Sequence, residues 1–163
     1  GCPTCSSMAD VVDGALPHLH ARDVTMMFVS QAPLEKLQAY KQRMGWNMPW
    51  VSSAGGDFNF DLGYSSSEEQ TRAAIAPLLE AGGLPEIVEH NASSTGTEVT
   101  GYLTQLFGFS AFVLDDGAVY QTYATTGRGI EFLMGYYGIL DRAPKGRDEG
   151  EAWQVWIRRH DEY

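Results

Sequence analysis

Only two cysteines occur in this chain of 163 residues, and they lie three positions apart as Cys2 and Cys5. No disulfide can staple distant parts of such a chain, so its fold must rest on apolar packing. The material for a core is present, with 44% hydrophobic and 12% aromatic residues. Those fractions exclude a disordered or low-complexity chain, and the length suits a single domain over 1–163. Acidic residues outnumber basic ones 21 to 11, giving a net charge of −10. A surface of that sign repels phosphate backbones, so neither nucleic acid nor a membrane is expected as a partner. No apolar run nears the ~18 residues of a membrane span. No basic-then-apolar leader opens the chain, and the expected location is cytoplasmic.

Apolar residues recur at Met8, Val11, Val12, Ala15, Leu16 and Leu19, a stripe one helical face wide. It predicts a helix from about Thr4 to Ala21, bent where Pro17 removes a backbone donor. Val24 to Val29 is a short, nearly continuous apolar run, the pattern of a strand buried on both faces. Pro33 opens a second helix that ends before Gly45, and a strand-like stretch follows from Trp46 to Val51. Phe58, Phe60 and Leu62 alternate like a short strand. Ser67 and Gln70 read as a capping box for a helix to about Leu79. His90 to Thr97 is polar and small, hence a loop, and Glu98 to Gly108 fits no single pattern. Phe109–Leu114 and Ala118–Ala124 are β-rich and flank Asp115-Asp116-Gly117, a strong hairpin signal. Ile130, Leu133, Met134, Tyr137 and Leu140 mark a closing helix. Beyond Pro144 lie a charged linker and a tail holding Trp153, Trp156 and Ile157. A mixed sheet with helices on both faces fits this order.

The cysteine pair carries the chemistry. Free N–H groups and the dipole at a helix start favour negative charge, so a sulfur placed there becomes thiolate more easily. Cys2 then suits the role of attacking thiolate, and Cys5, one turn on, that of resolving thiol. Pro3 stiffens the turn between them, and Thr4 completes it. Zinc sites use the same spacing, but His18 and His20, two apart on a helix, point about 200° from one another and cannot converge. No metal and no cofactor is expected. Arg128, between Gly127 and Gly129, is a candidate cation for the thiolate, with a solvated cap as its plain alternative. Trp46 and Trp50 suit core packing better than a substrate groove. Asp10 and Asp13 suit a solvated face better than a proton relay, and His90 and His160 suit the surface.

The segments Gly1–Cys5, Ala32–Leu37, Met44–Trp46 and Pro49–Ser53 resemble the thioredoxin-like family catalogued as domain-of-unknown-function family 899. So do Asp57–Asn59, Pro144–Glu149 and the closing Arg159-His160-Asp161. The resemblance spans nearly the whole chain and is weakest from Glu68 to Thr104. It implies a thioredoxin-like three-layer α/β/α fold with a central mixed sheet, akin to the peroxiredoxin branch. It also implies a variable insertion over about 65–105 and a C-terminal tail over about 145–163. The strand that leads such folds into the cysteine turn has no counterpart in this chain. Where thioredoxin-like chains carry a cis-proline beside the thiols, this one has Phe109 and Ser110. The resemblance places Ser110 and the Gly127–Arg128 loop next to the cysteines.

The expected function is therefore a thiol–disulfide oxidoreductase with Cys2 and Cys5 as catalytic residues and Pro3, Thr4, Ser110 and Arg128 in support. Its partners would be a thiol or disulfide substrate and a reducing protein or thiol, with a homodimer through the tryptophan tail as an option. The alternatives are a peroxiredoxin-like thiol peroxidase and a non-catalytic module holding copper or zinc between the two thiolates.

Overall fold

A computed structural model describes all 163 residues, Gly1–Tyr163. The first helix, α1 (Pro3–His20), is the organising element and runs through Pro17 to its end. After it come β1 (Phe28–Ser30), α2 (Leu34–Arg43) and β2 (Trp50–Ser52). The strands β1 and β2 pair in parallel, Phe28 opposite Trp50 and Ser30 opposite Ser52. This unit confirms the strand–helix–strand reading, but β1 is shorter than the expected Val24–Val29. Only three residues find a ladder partner on β2, so Val24 and Met27 stay outside the pairing and half-exposed.

A helical turn, α3 (Phe58–Asp61), stands where alternation suggested a strand. Phe58 and Phe60 have no strand to pair with, and the turn instead buries Asn59, whose Oδ1 accepts from Ser53 Oγ at 2.7 Å. The capping box is present at the start of α4 (Glu68–Glu80): Gln70 N–H donates to Ser67 Oγ at 3.1 Å and Ser67 N–H to Gln70 Oε1 at 2.9 Å. The stretch expected as a loop is instead the helix α5 (Glu86–Thr95), closed by Gly96 at φ +71°. Ile87, Asn91 and Ala92 recur on its one buried face, and small polar residues elsewhere on it obscured that period. The ambiguous stretch contains α6 (Val99–Leu103), which packs on both α4 and α5.

The hairpin forms as expected from β3 (Gly108–Asp115) and β4 (Ala118–Thr126). Its two-residue turn needs positive φ at both positions, and Asp116 and Gly117 supply +46° and +78°. The closing helix is divided into a 3₁₀ segment, Gly127–Leu133, and α7 (Gly135–Leu140), because buried Met134 leaves the helical conformation between them. The class is α/β, as expected. The single central mixed sheet that was expected is not formed: the strands make one parallel and one antiparallel pair, each a separate two-stranded sheet, because no ladder joins β1 or β2 to the hairpin. No helix is long and apolar enough to cross a membrane.

Two apolar clusters meet α1 from different sides. Ala9, Val12 and Leu16 pack with Met44, Trp46 and Met48. Met8 packs with Ile130, Met134, Tyr137 and Ile157. Trp46 is thus a core residue of the first cluster, and Ile157 brings the C-terminal tail into the second. Asp13 is a structural acceptor on α1: its Oδ1 takes Asn47 N–H and Met48 N–H, each at 2.7 Å. These bonds hold the loop that delivers fully buried Met48. Asp13→Ala should lower unfolding stability by about 1–3 kcal/mol, as expected for a stranded backbone donor beside the core. Urea denaturation checks this, and an unchanged midpoint would remove Asp13 from the account of the fold.

Candidate functional site

Because α1 begins at Pro3, Cys2 is its N-cap residue, with extended backbone at φ −58°, ψ 134°. Its sulfur occupies the place usually held by a serine or aspartate oxygen, and accepts from Cys5 N–H at 3.5 Å. Pro3 at the first helical position has no N–H to leave unpaired. Both cysteines are free thiols; Cys2 is buried, with 8% exposure, and Cys5 is half-buried.

The two thiols split in acidity. The Cys5 thiol donates towards Cys2 and is the largest influence lowering Cys2, with burial acting against it. The backbone N–H of Cys5, the Tyr102 hydroxyl and the backbone of Thr4 add to the lowering, and Cys2 settles at about 6. Cys5 moves the other way, well above the ordinary thiol range, because it donates to Cys2, is desolvated and faces the Cys2 charge. The shifts run in opposite directions, Cys2 down and Cys5 up, so Cys2 is the sulfur that ionises first. Hydrogen bonds are the leading influences that lower Cys2.

Tyr102, on α6, reaches across the fold and donates to Cys2 Sγ at 3.5 Å. Asn91, buried on α5, lies close enough to Tyr102 to draw its phenol down. Thr4 Oγ1 and Asn91 Oδ1 are buried without a hydrogen-bond partner.

The turn before Cys2 is held by the C-terminal tail. Arg159 donates to the Gly1 carbonyl through Nε at 3.0 Å and Nη2 at 2.7 Å, and to the Ser94 carbonyl at 2.7 Å. Its Nε also meets Tyr40 Oη at 3.1 Å, whose hydroxyl lies 2.9 Å from Ser6 Oγ. Ser6 Oγ in turn donates to the Cys2 carbonyl at 2.8 Å. Tyr40 leaves Gly1 no room for a side chain, since a Cβ there would come within 2.7 Å of its ring.

Of the residues singled out from sequence, Cys2, Pro3, Thr4 and Cys5 form this turn together. Ser110 and Arg128 do not join them through any hydrogen bond. The Ser110 hydroxyl pairs with Tyr64 at 2.8 Å and Gln121 at 3.1 Å. Arg128 binds Glu131 at 2.8 Å and lies over the Trp153 ring. Asp10 is no solvated bystander: its Oδ1 accepts from Trp46 Nε1 and from His160 Nδ1, each at 2.7 Å. His160 therefore has a partner that sequence reading did not supply, and His90 is partly buried rather than a surface residue. No third His, Cys, Asp or Glu gathers with the thiols into a metal-binding group. Sequence reading missed Tyr102, Asn91 and Arg159. Arg159 had a signal in the closing Arg159-His160-Asp161 landmark; Tyr102 and Asn91 lie where the chain reads least clearly.

Compared with known families, residues 1–163 match one described as "Bacterial protein of unknown function (DUF899)". No curated protein and no solved structure matches the chain.

Alkylation of reduced protein by iodoacetamide should rise through a midpoint near pH 6 at Cys2, while Cys5 stays unmodified at neutral pH. Mass mapping of the labelled peptide reads both. Because Arg128 is engaged by Glu131 and Trp153 and makes no bond to the thiols, Arg128→Gln should leave that midpoint in place. The folded Cys2 value lies below its ordinary 9.0, so ionisation stabilises the fold fully above 9 and the gain fades as pH falls through about 6. The excess melting temperature of reduced wild type over Cys2→Ser should accordingly grow from pH 6 to pH 9. A flat difference would contradict a depressed thiol.

Proposed function

We propose that this chain, which belongs to the bacterial DUF899 family, is a thiol–disulfide oxidoreductase in which Cys2 attacks and Cys5 resolves. The observation that carries the reading is the place of Cys2 at the N-cap of α1, where its sulfur accepts from the Cys5 N–H and the Tyr102 hydroxyl while the Cys5 thiol is pushed the other way. The Cys2 thiolate attacks one sulfur of a substrate disulfide, forming a mixed disulfide and expelling the other substrate sulfur as thiolate. Cys5 then gives up its proton to the departing thiolate or to water and attacks Cys2. The Cys2–Cys5 disulfide forms, and the second substrate sulfur leaves. Substrate gains two electrons and leaves as two thiolates that share the one proton given up by Cys5, and the protein loses those two electrons and that proton. A reducing thiol of the glutathione or dithiol class restores the pair.

The thioredoxin-like placement belongs to the same reading. It is supported by the cysteine turn at the head of α1 and by the β1–α2–β2 parallel unit that follows. A reducing compartment such as the cytoplasm suits two free thiols, and the tryptophan tail remains the surface through which a homodimer would form.

The test is a redox titration of the purified protein against glutathione, with free thiols alkylated and counted by mass. Cys2 and Cys5 should interconvert as one two-electron couple. Cys5→Ser should accumulate a mixed disulfide at Cys2, and Cys2→Ser should lose exchange activity altogether. Thiols that stay free across the titration, or full turnover by Cys2→Ser, would sink the assignment.

A further inference from the structure

The attacking sulfur belongs to a residue only 8% exposed. Its remaining contact is the hydroxyl of Tyr102, a hundred residues away in sequence, brought there by the short helix α6. That helix is fixed from several sides. Tyr102 N–H donates to the Glu98 carbonyl at 2.8 Å, and the Thr104 carbonyl accepts from Ser66 N–H at 3.0 Å. Gln105, just beyond, joins Ser65 at 2.7 Å and Gln31 at 3.1 Å. Such anchoring is more than a surface turn needs, and its result is a phenol aimed at one sulfur.

We infer that Tyr102 is a catalytic residue of this site, donating a hydrogen bond to Cys2 Sγ that holds its negative charge whenever Cys2 is a thiolate. The inference rests on the oxidoreductase reading and names a component of it. Cys2 carries charge as it attacks the substrate disulfide. It carries charge again when a reducing thiol attacks the outer sulfur of a mixed disulfide and Cys2 departs. In both steps the phenol proton stays on oxygen, so Tyr102 adds neither proton nor electron to the balance. Burial, the neighbouring sulfur charge and the bond to Cys2 all push its pKa up, so it remains a donor throughout.

A hydrogen bond to a charged group is stronger than one between neutral groups, so its loss should be visible in titration. Tyr102→Phe keeps the ring and removes only the hydroxyl. The expected result is a Cys2 alkylation midpoint raised by about one pH unit. The dithiol–disulfide equilibrium against glutathione at pH 8 should shift about tenfold towards disulfide, equivalent to about 30 mV more reducing. Circular dichroism and melting verify that the variant is folded. Should it fail to fold, 3-fluorotyrosine at position 102 preserves the packing and makes the phenol a stronger donor, so the midpoint should fall. A midpoint unmoved in either substitution overturns the role of Tyr102. The two readings separate cleanly. A wild-type midpoint near 6 with no shift in Tyr102→Phe removes Tyr102 alone. A shifted midpoint with no glutathione couple removes disulfide exchange and leaves the hydrogen bond standing.

Discussion

Everything near the thiols depends on the burial of α1 against two clusters at once. Met8 faces one set of side chains while Ala9, Val12 and Leu16 face another, so the helix can neither roll nor slide without opening apolar surface on one side. Each large side chain in these clusters contributes about 1.5–3 kcal/mol by leaving water. That packing fixes the first turn of the helix in space, and the first turn is what makes Cys2 an acid. A sulfur displaced by an ångström or two would lose the Cys5 N–H and the helix-end field together. The reactivity of the site is therefore a property of the core, expressed at its end.

Polar contacts then tie the tail to that helix. Arg159 is a buried cation, which costs several kcal/mol unless its donors are met. They are: two backbone carbonyls, the Tyr40 hydroxyl and Glu162 take them up. Asp10 joins Trp46 of the first cluster to His160 of the tail, and Asp161 binds Arg43 at the end of α2 at 2.7 Å. The last residues of the chain thus close over the first. Arg147 and Glu149 do similar work further back. Arg147 pairs with Asp141 at 2.6 Å and lies over the Tyr137 ring, while Glu149 accepts from Tyr137 and Trp156 at 2.6 and 2.7 Å. The charged segments at 144–149 and 159–161 are internal fastenings of an acidic chain rather than a solvated fringe.

This explains what was legible in the sequence. Elements stabilised by their own neighbours could be read: the amphipathic stripe of α1, the Ser67–Gln70 cap, the Asp116-Gly117 turn and the cysteine pair at a helix start. Elements that owe their form to distant partners could not. The helix α5 shows its period only through Ile87, Asn91 and Ala92, and the helical turn at Phe58–Asp61 follows from Asn59 meeting Ser53. The strand β1 is short because β2 opposes only three of its residues, which no local pattern encodes. The site divides along the same line. Cys2, Pro3, Thr4 and Cys5 are contiguous and visible. Tyr102, Asn91 and Arg159 arrive from three other places, and their pairing is a fact of the fold.

The chemical asymmetry between the two sulfurs follows from this division. Left alone, two thiols one helical turn apart would share a proton with little preference, each a possible acceptor for the other. The helix start breaks the tie in part, because only Cys2 sits before the first turn and receives its N–H groups. Tyr102 breaks it further, since a phenol held above its ordinary range can only donate and donates to Cys2 alone. Burial then sharpens the outcome, because one negative charge among several donors is tolerable in a dry site and two are not.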